Sequence, residues 1–544
     1  MSPSSDVRIV PLGGLGEVGM NCLAFVHAGR AMVVDCGVTF DEAELGVDVV
    51  HADFAFLDEV PLAGVVVTHG HEDHIGAIPY LLKRFDVPVY GPPYALALVR
   101  EKLKEHEVLG HARLVEVGTR EPYRVGPFEI EHFRVTHSIA DATAIAIRTA
   151  RGTIVHTGDF KFDEDPPDGE RFDEEGLRAV GDAGVELLLS DSTNAETEGV
   201  SGSESIVGAA LEKVVHETEG AVVVGLFASN AHRLRLLGEI ARRTHRRIVL
   251  LGRSMRTHTR VARDAGYLDW GPEATFPVER LRELPRRSVL ALATGTQGEE
   301  MAALGKLSRG DVPGFALESG DAVVFSSRVI PGHEPEVYAL KSALLRRGVA
   351  LHTHRTARDL HVSGHAYRDE QRRMIELVRP RAFIPLHGTR VQLDRHRALA
   401  VAAGVGHTEL LENGETAFLG EGGLRRGERV RAGRVRVFAH AEVTEATVAD
   451  RKALASSGVV AVTVLVDERG ALARPPVVVA RGVVDPGHPG FLRDVGREIE
   501  VALAALGPPL TDERIAETTR LAARRVASKV MGRRPVVLAT VLRV

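Results

Sequence analysis

The chain has 544 residues, too many for one ordinary hydrophobic core, so two to four domains are expected. Hydrophobic residues make up 44% and charged residues 26%, the balance of a soluble globular protein, and a formal charge of −6 argues against a surface given over to phosphate contacts, although a basic excess can be confined to one channel. Two cysteines, Cys22 and Cys36, exclude a disulfide framework and read as buried packing residues in a reducing cytoplasm; the opening MSPSSDVRIV is not a signal peptide, and no run of about 18 apolar residues offers a membrane span.

In chain order, VRIVPLGG reads as a strand closing on a glycine turn. NCLAFVHAGRAMVVDCGV reads as a hairpin with Ala28–Gly29–Arg30 as its turn. LAGVVVTHG is a buried strand running into HGHEDH, and IGAIPYLLKRF is a helix with Ile75, Ile78, Leu81 and Leu82 on one face. VPVYG, RLVEVG, FEIEHFRVTH, TAIAIRT, RGTIVHTGDF and VELLLSDSTN follow as strands, the last two with acidic ends.

Near Ser201 the rhythm changes. AVVVGLFASN is a strand followed by the helix AHRLRLLGEIARR, and RIVLLG, SVLALATGTQGE and AVVFSSRVI are apolar strands each followed by helical text. That alternation implies a parallel α/β sheet. The earlier style returns with HVSGHAYRDEQ, FIPLHGTR and TAFLG, so residues 201–360 read as a domain inserted between 1–200 and 361–435. RRGERVRAGRVRV reads as a solvated connector, with residues 436–449 as linker. Residues 450–544 read as a small α+β domain with no visible chemistry, whose expected role is assembly.

The strongest chemical signal is His69-Gly70-His71-Glu72-Asp73-His74, after a buried strand and at the start of a helix. Three imidazoles and a carboxylate in six residues suit zinc or manganese. His69 and His71 can converge on one ion, while Asp73 and His74 face a second. His137, Asp159 and His387 end apolar runs, where a rigid sheet presents ligands. Taken singly, each is better read as a satisfied histidine or a turn aspartate; with HGHEDH the joint pattern is specific. GGLGE lacks the spacing of a dinucleotide site, and no GxxxxGK[ST] is present.

HxHxDH with a later His, Asp and His resembles the metallo-β-lactamase superfamily, and the inserted segment is similar to the β-CASP group of nucleic-acid hydrolases. GGLGEVGMN, DSTNAE, FASNAHR, TGTQGE, HVSGH and PLHG resemble the ribonuclease J family, from about residue 8 to the C-terminus. The resemblance implies a metallo-β-lactamase αββα sandwich, a β-CASP parallel α/β insert and a small C-terminal α+β domain. It implies two Zn2+ ions, with Mn2+ or Mg2+ possible in turnover: one held by His69, His71 and His137, the other by Asp73, His74 and His387, with Asp159 bridging. His365 would protonate the leaving oxygen and Asp191 would orient it, although Asp191 could equally cap a turn; these two and Asp73 form the expected catalytic set.

His361, Val362, Ser363, Gly364 and His365 would cradle the substrate's terminal phosphate, with Ser229 and Asn230 as lesser candidates that helix capping explains nearly as well. Arg233, Arg253 and Arg355 are candidates to line an RNA path, with solvated arginine as the default. Asp48 and Asp450 resemble positions that hold a structural Ca2+ in some relatives. Two departures from the family pattern stand out: Thr389 in HGT and His333 in PGHE.

The expectation is a cytoplasmic ribonuclease that acts 5′-to-3′ on 5′-monophosphorylated single-stranded RNA and also cuts internally, in mRNA decay and rRNA maturation. It would assemble as a homodimer or tetramer through the last domain, with other RNA-decay proteins as partners and no membrane. The rivals are a small-molecule metallohydrolase for a thioester or lactam and a non-catalytic RNA-binding subunit. The insert, HVSGH and DSTN oppose the first; the full set of seven ligands opposes the second.

Overall fold

Apolar text at the start of the chain builds the strands Val7–Gly13, Cys22–His27, Arg30–Val34 and Leu62–Val66. The hairpin closes on the pair His27–Arg30, with Ala28 and Gly29 at positive φ (48° and 76°), a two-residue turn whose twist matches its strands. The structure is a computed structural model and describes residues 6–40, 45–271, 274–330, 332–484, 490–532 and 534–544; the first five residues of the opening read above lie outside it.

These strands belong to an eight-stranded sheet in the order Gly423–Arg426, Ala417–Gly420, Val7–Gly13, Cys22–His27, Arg30–Val34, Leu62–Val66, Pro88–Gly91, Arg113–Glu116. A seven-stranded sheet runs Tyr123–Val125, Phe128–Arg134, Thr143–Thr149, Gly152–His156, Leu187–Asp191, Ala382–Leu386, His407–Thr408. Ile9, Phe25, Val34 and Val66 of the first sheet share one core with Ile130, Ile145, Leu187 and Ile384 of the second, the two inner layers of an αββα sandwich. Helices Arg368–Val378 and Arg390–Ala402 lie against the second sheet.

The helix expected over IGAIPYLLKRF is instead two short ones, Glu72–Ile75 and Ile78–Leu82. Pro79, in the first turn of the second, has no N–H to continue the first. Ile75, Ile78 and Leu81 are buried as expected, and Leu82 is half-buried. The helix Pro93–Glu105 was not expected.

Between residues 222 and 353 lies a wholly parallel five-stranded sheet, Arg247–Leu251, Val289–Ala293, Val222–Gly225, Ala322–Phe325, Ala350–Thr353, with its own core around Val223, Val249, Ala291 and Val323. The three central strands are wholly apolar and buried because both faces are covered, whereas the edge strand Ala350–Thr353 carries His352 and Thr353 and is partly exposed.

The chain divides into two compact units, Met1–Thr39 with Val50–Arg434, and Phe40–Val49 with Val435–Val544. In the second, Val459–Val466 pairs antiparallel with Leu472–Arg481 and parallel with Val536–Arg543, and helices Phe491–Ala504 and Asp512–Met531 cover one face. Residues 436–449 carry the strand Ala441–Val443 and the start of the helix Glu445–Ser457. Five of the six arginines of RRGERVRAGRVRV have acidic partners, Arg425 with Asp6, Arg426 with Glu409, Arg431 with Asp53, Arg434 with Glu17 and Arg436 with Glu445, and Arg429 donates to the Asn413 carbonyl at 3.4 Å. Among the described residues, no helix is long and apolar enough to cross a membrane.

Candidate metal centre

The polar residues expected at strand ends come together at one end of the sandwich. His69 and His71 lie in the loop after Leu62–Val66, and Asp73 and His74 on the short helix that follows. His137 lies three residues beyond Phe128–Arg134, Asp159 three beyond Gly152–His156, and His387 one beyond Ala382–Leu386. Two of the turns are tight: His387 and Asp35 both take left-handed backbone (φ 49° and 58°), a strain held in place by the surrounding sheet. At Gly37 a Cβ would sit 1.7 Å from the Asp73 carbonyl, so only glycine lets the 35–37 turn approach the HGHEDH helix.

His71 Nδ1 is 3.2 Å from His69 Nε2 and 3.1 Å from His137 Nε2. Asp159 Oδ2 is 3.7 Å and 3.8 Å from the same two Nε2 atoms. On its other side this oxygen lies 3.2 Å from His74 Nε2, which is 3.6 Å from Asp73 Oδ2. His387 Nε2 is 3.3 Å from Asp73 Oδ2, and His387 Nδ1 is 2.8 Å from Asp159 Oδ1. Two sets of donor atoms, His69–His71–His137–Asp159 and Asp73–His74–His387–Asp159, each converge within 4.8 Å and share Asp159.

The hydrogen bonds around these rings decide which nitrogens are bare. His74 Nδ1 donates to Asp35 Oδ2 at 2.7 Å, and His137 Nδ1 donates to the Gly364 carbonyl at 2.6 Å. Thr68 Oγ1 gives its hydrogen to Asp35 Oδ2, so it accepts from His69 Nδ1 at 3.0 Å. The Nε2 atoms of His69 and His137 therefore turn lone pairs toward Asp159, and His74 presents its Nε2 to the same carboxylate. The Nε2 of His387 is buried without a hydrogen bond. Lone pairs and carboxylate oxygens facing one another out of water are costly unless a cation lies between them, and this donor chemistry fits divalent metal.

The charges are divided accordingly. Burial, with neighbouring imidazoles, holds His69 and His137 well below the ordinary histidine value, and burial brings His71 down to about 4 against the pull of Asp73 and Asp159. The direction of all three shifts favours neutral rings, the form in which imidazole can bind a metal. Burial opposes charge on His74 and His387, but Asp159 with Asp73 outweighs it at His74 and raises its pKa, and Asp159 with its hydrogen bond brings His387 up to about 10. Burial would raise Asp159, yet His387 and His74 hold it well below the carboxylate range.

The HVSGH loop reaches this cluster. His365 Nδ1 is 2.8 Å from Asp191 Oδ2 and 3.8 Å from Asp159 Oδ2. The Asp191 carboxylate also takes the Thr193 amide and hydroxyl, so it forms its own turn and holds His365 together. Asp159, Asp191, His365 and His387 form a third gathering of donors. Gly364 has no room for a side chain: a Cβ would lie 2.6 Å from Ser138 Oγ and 2.9 Å from His137 Cε1.

Other candidates fall elsewhere. Asn230 caps the helix Ala231–Arg243, its Oδ1 accepting from the Arg233 amide at 2.9 Å, and Ser229 precedes it half-buried. Arg233 does not line a path; it is buried against Glu204. Arg355 donates to the Tyr338 hydroxyl at 2.8 Å. Asp48 accepts the Ala439 amide at 2.7 Å and Asp450 is exposed, and neither joins a ligand group among the described residues. Thr389 begins the helix Arg390–Ala402 through a capping box with Gln392, and His333 sits at the N-cap of Glu334–Leu345. Asp35 was missed, although VVDCG ends a buried strand with a carboxylate as plainly as the segments that were noticed.

A two-layer sandwich carrying this His/Asp centre, with a parallel α/β insert, defines a metallo-β-lactamase-fold hydrolase of the β-CASP type. Family profiles match accordingly: "Metallo-beta-lactamase superfamily" over residues 15–198, "Ribonuclease J, beta-CASP domain" over 219–344, "Zn-dependent metallo-hydrolase RNA specificity domain" over 355–409 and "Ribonuclease J C-terminal domain" over 446–544. Ribonuclease J of Mycolicibacterium smegmatis is 40% identical over 99% of this chain and 97% of its own length. Ribonuclease J of Sinorhizobium meliloti is 36% identical over 100% of this chain and 98% of its own. A solved protein of unknown function from Enterococcus faecalis shares the fold at a TM-score of 0.55, with 15% identity over 76% of this chain and all of its own. The chain belongs to the ribonuclease J family and is a hydrolase acting on RNA.

Proposed function

We propose that the protein is a cytoplasmic two-zinc ribonuclease that removes nucleotides 5′-to-3′ from 5′-monophosphorylated RNA and also cuts internally, in mRNA decay and rRNA maturation. The observation that carries this reading is the Asp191–His365 pair, 2.8 Å apart, which joins the HVSGH loop to the ligand cluster. One loop thus bears both a candidate phosphate cradle and a candidate proton donor.

In this reading His69, His71, His137 and Asp159 would hold one ion and Asp73, His74, His387 and Asp159 the other. The chemistry that bound divalent cations supply is water acidified toward neutral pH and positive charge facing the phosphoryl oxygens. The chain's own residues do the rest. Asp191 accepts from His365 Nδ1 and fixes the ring, so Nε2 is the atom that hands a proton to the leaving 3′-oxygen. Burial opposes the imidazolium, but Asp191 and Asp159 outweigh it and raise the pKa of His365, which keeps that proton available. The 361–365 loop holds the terminal phosphate and sets which bond faces His365.

The last unit is the proposed assembly surface. Val477, Val479, Leu538 and Leu542 are exposed on its outer strands, which suits a contact with a second copy.

The test is one oligoribonucleotide carrying a 5′-monophosphate, 5′-triphosphate or 5′-hydroxyl, with product sizes resolved, with and without excess chelator. Mononucleotides released fastest from the monophosphate, and abolished by chelation, are expected. Undiminished cleavage in chelator rejects the metal reading, and equal rates on the three ends reject the cradle.

A further inference from the structure

The cradle loop is held from behind by residues that leave it a single hydrogen-bonding polarity. Arg233 Nη1 lies 3.1 Å from His361 Nδ1. A guanidinium only donates, so Nδ1 is the acceptor and the neutral ring carries its hydrogen on Nε2. Burial, then the nearby Arg233 and Arg328, holds His361 well below the ordinary histidine value, in keeping with a neutral ring.

Arg233 cannot turn outward to serve as a donor itself. It is 1% exposed, its Nη2 bonds both Glu204 oxygens at 2.7 Å and 2.8 Å, and its Nη1 also donates to the Ser326 carbonyl at 2.6 Å.

Ser363 is arranged in the same way. Its Oγ accepts from Asn194 Nδ2 at 2.9 Å and from the His365 amide at 3.1 Å, which uses both lone pairs and frees the hydroxyl hydrogen. The orientation of Asn194 is fixed because the same Nδ2 donates to the His365 carbonyl at 3.1 Å.

We propose that Arg233 and Asn194 are positioning residues that set the preference for a terminal phosphate monoester: they occupy the acceptor atoms of His361 and Ser363 and leave both side chains able only to donate. A phosphate monoester dianion only accepts, so both bonds are made. A terminal hydroxyl brings its own O–H, for which neither side chain offers an acceptor, and a donor left unpaired in a confined site weakens binding. The inference rests on reading the 361–365 loop as the phosphate cradle.

The test compares kcat/KM on one oligoribonucleotide with a 5′-monophosphate or a 5′-hydroxyl, for the metal-loaded full-length enzyme and for Asn194→Ala and Arg233→Lys. Neither substitution changes the charge, so a change in preference is not a change in field. Each is expected to lower the monophosphate-to-hydroxyl ratio about tenfold, the effect of weakening one hydrogen bond to a charged group. A purely structural role lowers both rates together; an unchanged ratio in either folded variant overturns the proposal and leaves the cradle standing. A wild-type ratio near one removes the cradle itself. Arg233→Lys keeps a cation against Glu204, so it remains decisive if Asn194→Ala does not fold.

Discussion

His137 and Gly364, 227 positions apart in sequence, are joined by a 2.6 Å hydrogen bond from the imidazole Nδ1 to the carbonyl oxygen. The loop read as the phosphate cradle is therefore also what orients one histidine of the ligand cluster. A ligand that shifts this loop is therefore expected to change the cation affinity of His69–His71–His137, and by linkage a bound cation would change the affinity for that ligand by the same factor. Gly364→Ala, which has no space, is expected to lower cation affinity of this set about 10–100-fold, the usual effect of losing an orienting partner. Competitive titration of the purified protein with a metallochromic chelator reads this directly; an unaltered affinity at both sites would show that the bond does not orient His137.

Asp35 should prove as sensitive. Its carboxylate accepts from His74 Nδ1, the Thr68 amide and the Thr68 hydroxyl at 2.7, 2.8 and 2.8 Å. Asp35→Asn places an amide where a charge fixed the His74 ring, and a loss of about 10–100-fold in affinity at the Asp73–His74–His387 set is expected. Full metal occupancy at wild-type concentrations of free zinc would count against it.

His365→Gln should leave metal content and thermal stability unchanged while kcat on RNA falls about 10²–10⁴-fold, the range for loss of a general acid. A loss of bound metal in this variant would instead place His365 among the ligands, as its membership of the third donor group allows.

Stability should depend on pH through Glu204. Burial would raise its carboxyl, but Arg233, then Lys161, holds it below the ordinary value. A carboxylate with a lowered folded pKa contributes stability above its unfolded value, near 4.5, and loses it as pH falls through the folded value. Glu204→Gln leaves Arg233 buried and uncompensated, at a cost of about 3–5 kcal/mol at neutral pH. Urea unfolding of both proteins from pH 7 to pH 3 should show the gap narrowing at the acid end. A gap that widens there reverses the assignment.

The fold and the ligand residues were legible for a common reason. Apolar runs mark buried strands, and a His or Asp just past such a run can sit at the edge of a sheet, so His137, Asp159 and His387, ambiguous singly, become specific when read together with HGHEDH. Their convergence came only from the family resemblance, because nothing local says that residues 69 and 387 meet; it follows from the placement of Leu62–Val66 and Ala382–Leu386 in facing sheets. Arg233 was misjudged for a related reason: its place depends on Glu204, which lies 29 residues earlier on another helix. The hydrogen-bond polarity of His361 and Ser363 was invisible, since it depends on Arg233 and Asn194 behind them.

The smaller compact unit is assembled from Phe40–Val49 and Val435–Val544, and Asp48 and Val437 are joined by a 2.8 Å backbone hydrogen bond. A nascent chain therefore exposes its first piece hundreds of residues before the second is made. Deleting the C-terminal part would not yield a clean single-body enzyme but one with an unmatched stretch at residue 40, and excising residues 435–544 for separate study would leave out a piece of their own fold. Grafting the two segments together by circular permutation is the way to isolate that unit intact.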